Sequence, residues 1–238
     1  MCTVTFYPNN NEYILTSSRD EVKHRPTVAP TMYNINNQEI IFPKDEVAGG
    51  TWIATNNKTK TVCLLNGAFE KHQKKESYSR SRGLVLLESF SYSTIEDFIN
   101  DINLNGVEPF TLLLFDTKTT LKITELRWDE SKKHVSEIDA TQPHIWSSST
   151  LYDKTTREQR KKWFQLLLEQ HEHLNKDLLL KFHLSKHEKD AFNDIVMERA
   201  NGLQTVSVSQ IVMKKNKVAT FDYHDLIDNK KYQLNNNE

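Results

Sequence analysis

The chain has 238 residues, 31 Lys plus Arg against 32 Asp plus Glu, and a formal net charge of −1. That balance gives no support to a nucleic-acid or anionic-membrane partner, and no apolar run approaches the ~20 residues of a membrane helix, so no integral membrane segment is expected. Two cysteines, Cys2 and Cys63, do not suggest a disulfide framework; the cytoplasm is the default compartment. The N-terminus lacks a basic region followed by an apolar stretch, so no secretory signal is expected.

Strand signals come in pairs. Residues 2–7 and 13–19 flank Pro8-Asn9-Asn10-Asn11-Glu12, where asparagine tolerates left-handed turn geometry. Residues 51–56 and 61–66 flank Asn57 to Lys60, residues 110–116 and 121–128 flank a Thr/Lys turn, and residues 204–213 and 218–223 flank Lys214 to Lys217. Each pair is rich in β-branched and aromatic residues and reads as an antiparallel hairpin. Further strands are expected at 39–42, 133–138 and 143–147. Helical periodicity appears at 93–102, opened by the capping-box pattern Ser93-Thr94-Ile95-Glu96. A preceding helix is expected at 79–90. The longest candidate is Thr155 to His173, with Trp163, Phe164, Leu166, Leu167 and Leu168 as its apolar side, followed by Lys186 to Arg199 with Phe192, Ile195 and Val196. No repeat, Pro/Gly-rich linker or compositional break is visible, which favours one domain with a polar, frayed tail at 234–238. Hairpins interspersed with helix pairs suggest two packed antiparallel sheets covered by helices, a layered α+β domain.

Cys2 carries the chemistry. Methionine is usually trimmed before a small residue, and loss of Met1 leaves one residue with both a thiol and a free α-amine. The thiolate is the nucleophile and the amine titrates near neutrality, so one residue supplies nucleophile and base. The bland alternative is a small buried hydrophobe at a strand start. Hairpin arithmetic brings Ser18, Arg19 and Asp20 beside it: pairs summing to 21 set Cys2 opposite Arg19, and a turn centred on Asn10 sets it opposite Ser18. An Arg beside a thiol favours the thiolate. An Asp accepts hydrogen bonds from the amine or orients an amide, although Arg19-Asp20 also suits a surface ion pair. The second hairpin sets Asn66 opposite Thr51 or Trp52. Asn66-Gly67 ends a strand where a side-chain amide and the following N–H groups suit an oxyanion, though the same dipeptide suits a plain turn. His72 and His144 are weaker acid/base candidates. Cys63, within Val62-Cys63-Leu64-Leu65, reads as a core thiol. His171-Glu172-His173 and His183…His187-Glu188 read as solvated helix histidines rather than metal ligands, and no metal is expected because no spacing fixes a closed site. Haem-attachment, phosphate-loop and dinucleotide motifs are absent.

Five segments in order resemble the NRDE family, also called the transport and Golgi organisation protein 2 family. They are Met1-Cys2-Thr3-Val4, Leu15-Thr16-Ser17-Ser18-Arg19-Asp20-Glu21, Phe42-Pro43-Lys44-Asp45, Gly49-Gly50-Thr51-Trp52-Ile53-Ala54-Thr55-Asn56 and Leu64-Leu65-Asn66-Gly67-Ala68-Phe69-Glu70. They cover the first third of the chain; the rest matches only through Trp146-Ser147-Ser148 and the last hairpin. The resemblance implies an α-β-β-α four-layer sandwich like that of N-terminal nucleophile hydrolases. It implies Cys2 as the nucleophile, Arg19 and Asp20 as its neighbours, Asn66 as an oxyanion partner, and Ser18, Trp52 and Ser148 at the substrate. Three departures stand out. Arg19 and Asp20 adjoin, whereas the hydrolases space these residues further apart; Ser18 replaces the family's Asn; and Ser148 stands where many relatives carry Asn. Loss of one oxyanion donor costs about 10²–10³ in rate.

Two functions follow as expectations. The first is an N-terminal cysteine amidohydrolase acting on a small acyl-amide, with no cofactor required. The second is a non-enzymatic carrier: the resemblance brings associations with secretory-pathway organisation and intracellular haem movement, and haem would take a Cys, His or Tyr ligand. Either way the partner is a small molecule, and the oligomeric state is not readable from the sequence.

Overall fold

The computed structural model describes residues 3–9, 12–187, 191–215 and 217–235. These form two compact units, one from the described residues of 1–25, 141–214 and 218–238, the other from 26–140 with 215–217. Each unit is built on an antiparallel sheet with a few helices, the α+β class expected from the hairpins.

The first unit begins with β1 (Thr3–Asn9) and β2 (Glu12–Val22). It continues with β10 (His144–Ser147), β11 (Leu203–Lys214), β12 (Lys217–Asp225) and β13 (Lys230–Asn235). Among the described residues the strand order is β10-β1-β2-β11-β12-β13, so β1 lies inside the sheet. The β1–β2 pairs run from Asn9↔Glu12 to Thr3↔Ser18, each summing to 21, the first of the two registers expected. The turn residues Asn10 and Asn11 lie outside the described residues. Pairing of β13 reaches Leu234 and Asn235, opposite Phe221 and Thr220, so the tail joins the sheet further along than its polar composition suggested.

Side chains alternate faces along a strand, and paired residues share a face. One face of this sheet carries Tyr7, Ile14 and Val212, which cluster with Trp163, Phe164, Leu174, Leu179 and Phe182. Leu174 comes from the loop between two helices, α3 (Lys154–Gln170) and α4 (Lys176–His183), and the other partners from the helices themselves. The side chain of Asp153 caps α3 by accepting from the Thr156 N–H, and Asn175 caps α4 by accepting from the Leu178 N–H. The buried stripe of α3 is Thr156, Arg160, Trp163 and Phe164, a spacing of 4, 3 and 1 that keeps one face inward. It includes an arginine and leaves out the expected Leu166, which is 52% exposed.

The second unit holds β3 (Thr27–Ile35), β4 (Gln38–Asp45), β5 (Ile53–Thr55), β6 (Lys60–Asn66), β7 (Phe110–Asp116), β8 (Lys122–Trp128) and β9 (Lys133–Ile138), paired in that order. Its helices are α1 (Arg82–Glu88), extended by a 3₁₀ turn at Ser89–Ser91, and α2 (Ile95–Asp101). The cap of α2 is Thr94, which accepts from the Asp97 N–H, one residue beyond the Ser93 that the capping-box pattern named.

Two expectations fail on backbone chemistry. Residues 191–199 form turns rather than the last part of a helix at 186–199, and 188–190 lie outside the described residues. The Asp194 carboxylate accepts from the N–H groups of His187 and Ile195, both at 2.6 Å. The carbonyls of Phe192, Asn193 and Asp194 accept from Arg199 and Arg160 instead of completing a helical ladder. The second hairpin is also shifted. Its pairs Ile53↔Cys63 to Thr55↔Thr61 sum to 116, because Asn56 accepts from the N–H groups of Lys58, Thr59 and Lys60 and tightens the loop to three residues. That count removes Asn66 from Thr51 and Trp52; its strand partner is Phe110.

Gly50 and Gly83 mark a close backbone crossing. A Cβ on Gly83 would lie 2.6 Å from the Thr51 carbonyl oxygen, and one on Gly50 2.6 Å from the Gly83 carbonyl carbon. Gly83→Ala is therefore expected to cost about 1–3 kcal/mol as overpacking. Urea unfolding checks this, and an unchanged midpoint would mean that α1 shifts freely.

Candidate active site

Cys2, the expected nucleophile, lies outside the described residues. What the structure gives is the frame around β1, which begins at Thr3. Thr3 pairs with Ser18 on one side and Ser147 on the other. Of the residues expected near Cys2, Ser18, Arg19, Asp20 and Ser148 are all buried.

Adjacent positions on β2 diverge. Ser18 and Asp20 lie on the helix-covered face, where the Ser18 hydroxyl meets His183 and the Asp20 carboxylate meets Tyr152 and Thr205. Alternation sends Arg19 to the opposite face. Its cross-strand partner there is Ser207, and its positive charge reaches Tyr223. Burial pushes the Tyr223 phenol up to about 12, against the pull of Arg19, so the group stays neutral. Ser17 and Ser209, an adjacent cross-strand pair, share this face and are also buried.

Asp20 is held by short bonds. Tyr152 donates to Oδ2 and Thr205 to Oδ1, both at 2.6 Å. Thr205 in turn accepts from the Met197 N–H at 3.0 Å. The contiguous Arg19-Asp20 pair is thus split between the two faces of one strand instead of aimed at one point.

His183 corrects the expectation of a solvated helix histidine. It is fully buried, on the α4 stripe Leu179, Phe182 and His183. Nε2 lies 2.9 Å from the Thr5 hydroxyl and Nδ1 2.8 Å from the Ser18 hydroxyl. A neutral imidazole has one donor and one acceptor, and two hydroxyls satisfy either tautomer. Burial, reinforced by the nearby Arg160 charge, pulls its pKa down to about 3. Arg160 is equally buried. It donates to the Thr3 hydroxyl and the carbonyls of Asn193 and Asp194, and its guanidinium stacks on Tyr152 at 3.6 Å.

In the second unit, Asn66 is half-buried at the end of β6. The Gly67 N–H, expected as an oxyanion donor, is committed to the Pro109 carbonyl at 3.0 Å, and the Thr111 hydroxyl donates to the Gly67 carbonyl at 2.9 Å. Trp52 is buried, and its carbonyl accepts from the Leu64 N–H at 2.8 Å. His72 pairs with Glu108 at 3.2 Å, and Glu108 also meets Arg82 at 2.9 Å. His144, in β10, has the rings of Trp146 at 5.4 Å and Phe6 at 6.3 Å as neighbours. Cys63 is fully buried. Among the described residues no three His, Cys, Asp or Glu side chains form a metal-sized cluster, and no helix is long and apolar enough to cross a membrane.

Sequence reasoning missed Tyr152, Thr205, Arg160 and His183. The signal for the last two lay in helix spacing, since Arg160 sits three and four residues before the buried Trp163 and Phe164, and His183 sits four residues after the buried Leu179.

A family profile described as Transport and Golgi organisation 2 matches residues 1–232. No curated protein matches the chain. Among solved structures, a variant of conjugated bile acid hydrolase from Clostridium perfringens is similar at TM-score 0.59 and 12% identity, over 98% of this chain and 92% of that one. The Caenorhabditis elegans orthologue of N-acylethanolamine-hydrolyzing acid amidase gives TM-score 0.59 and 11% identity, over 88% and 92%. A second variant of the Clostridium enzyme gives 0.58 and 10%, over 100% and 93%. At these identities the likeness shows the fold, which is N-terminal nucleophile hydrolase-like.

The His183 environment has a pH signature. Its pKa is lower folded than unfolded, so between about 6.5 and 3 the unfolded chain binds the extra proton. Its contribution to stability is full above pH 6.5 and declines as pH falls toward 3, by about 1.4 kcal/mol per pH unit. His183→Gln keeps a donor and an acceptor but does not titrate. Denaturation across pH 7 to 4 should therefore show a shallower acid decline for the variant, and parallel curves would contradict a buried neutral His183.

Proposed function

The chain belongs to the Transport and Golgi organisation 2 family, and from that premise we propose that it is an N-terminal cysteine amidohydrolase acting on a small acyl-amide. Cys2 is the nucleophile after removal of Met1. Its thiolate attacks the amide carbonyl, forming a C–S bond; the α-amine passes a proton to the departing amine as the C–N bond breaks; water then releases the acid and restores the thiol.

The observation that carries this reading is the register of β1 on β2. Thr3, which follows Cys2 in the chain, pairs with Ser18, the residue before Arg19, and Arg19 is buried on the face of β2 away from the helices. A buried guanidinium there favours the thiolate. The hydroxyls of Ser17, Ser207 and Ser209 on the same face supply polar groups for a substrate. Asp20, engaged from the opposite face, serves in this reading as a positioning residue for β2 and not as a partner of the amine. Asn66 remains the oxyanion candidate through its side-chain amide, with the Gly67 N–H already engaged.

The three solved neighbours support the amide class in a limited sense: their names describe hydrolysis of conjugated bile acids and of N-acylethanolamines, both by those proteins. The carrier reading would need an axial ligand for haem. His183 does not offer one, because both of its ring nitrogens are already engaged.

An amide-like electrophile should label the native protein once, at Cys2. Cys2→Ala is expected to abolish that label, and Cys2→Ser to fold normally with weakened turnover. Undiminished labelling of Cys2→Ala contradicts the proposal. A Soret shift saturating at one equivalent of haem, with no Cys2 labelling, would favour the carrier instead.

A further inference from the structure

We infer that Arg160 is a positioning residue for the N-terminal nucleophile, acting through the hydroxyl of Thr3; the inference rests on the Cys2 reading above. On the helix-covered face, β1 is tied at three successive inward positions. Thr3 accepts from Arg160, the Thr5 hydroxyl meets His183, and the Tyr7 hydroxyl accepts from the Leu174 N–H at 3.1 Å. The spacing of two matches the pleat, so one layer of residues holds one edge of the strand throughout.

Arg160 is the tie nearest the N-terminus, and its surroundings are unusual. It is fully buried, yet its contacts are carbonyl and hydroxyl oxygens and an aromatic face, with no carboxylate among the described residues. Isolated buried charge is expensive. Three of its hydrogen bonds hold the loop at Asn193 and Asp194, and the fourth reaches out to the Thr3 hydroxyl. Among the described residues, Arg160 is in turn the side-chain partner that Thr3 has.

Thr3 follows Cys2 directly, with consecutive Cα atoms about 3.8 Å apart. Strand ends fray unless tied, and a misplacement of about 1 Å can cost about 10²-fold in rate. A bond that fixes Thr3 therefore limits the swing of the residue before it. Arg160 touches neither substrate nor reacting atoms in this account; it fixes the position from which the thiol attacks.

The test uses the full chain and the acylation burst with p-nitrophenyl acetate, which transfers its acetyl group to the thiolate and releases p-nitrophenolate. Thr3→Val is nearly isosteric and deletes the acceptor, Thr3→Ala deletes it without a branched side chain, and Thr3→Ser keeps it. Intact mass verifies the same N-terminus in each, and circular dichroism verifies folding. The burst rate should fall at least tenfold in Thr3→Val and Thr3→Ala and stay within threefold of the parent in Thr3→Ser. Thr3→Val or Thr3→Ala within threefold of the parent overturns the inference, as does Thr3→Ser falling as far as they do. A parent protein with no burst at Cys2 overturns the nucleophile reading itself, and the inference with it, which distinguishes the two failures.

Discussion

The pairing of β1 with β2 is the constraint on which the rest depends. A β-sheet has a period of two, so a slip of one residue would exchange every side chain between faces. With pairs summing to 21, Thr3, Thr5 and Tyr7 face the helices, together with Ser18, Thr16 and Ile14. The same register sends Val4, Phe6, Ser17 and Arg19 to the opposite face. Apolar burial alone fixes part of this choice, since Tyr7 and Ile14 join the helix-side cluster. The polar ties fix the rest: Thr3 to Arg160, and Thr5 and Ser18 to His183.

That helix face is polar near the N-terminal end of β1 and apolar further along. Such a layer holds only if its groups are satisfied, because an unpaired buried donor or acceptor costs about 1–3 kcal/mol. His183 stays neutral between two hydroxyls, Tyr152 and Thr205 serve the Asp20 carboxylate, and Arg160 spans the strand and the loop at 193–194. Asp20 and Arg19, adjacent in sequence, thus work on different sides of the sheet. One supports the frame, and the proposal assigns the other to the chemistry.

Much of this fold was legible in the sequence. The hairpins at 110–128 and 3–22 stand out by β-branched residues around short polar turns, and the first register came from counting. Other elements were obscured by specific chemistry. The strand β3 contains Pro30, is largely half-exposed and is irregular in its register between Val28 and Thr31, which weakens the alternating pattern. The helix α4 is short, although Asn175 and Asp177 mark its start. The segment 191–199 has helical spacing of Phe192, Ile195 and Val196, but Asp194 and two arginines take its backbone groups. At the candidate site, the residue types were legible and their faces were not, because Arg19 and Asp20 are separated by the pleat rather than by distance along the chain. Arg160 escaped notice and His183 was read as solvated, since charged and titratable residues on a helix usually point to solvent.

The most direct test of the central claim is the intact mass of the natively expressed protein before and after brief alkylation without denaturant. The account predicts loss of Met1 and one fast adduct mapped to Cys2, with the fully buried Cys63 unmodified on that timescale. Retained Met1, or a Cys2 that reacts no faster than Cys63, would contradict a free N-terminal cysteine nucleophile.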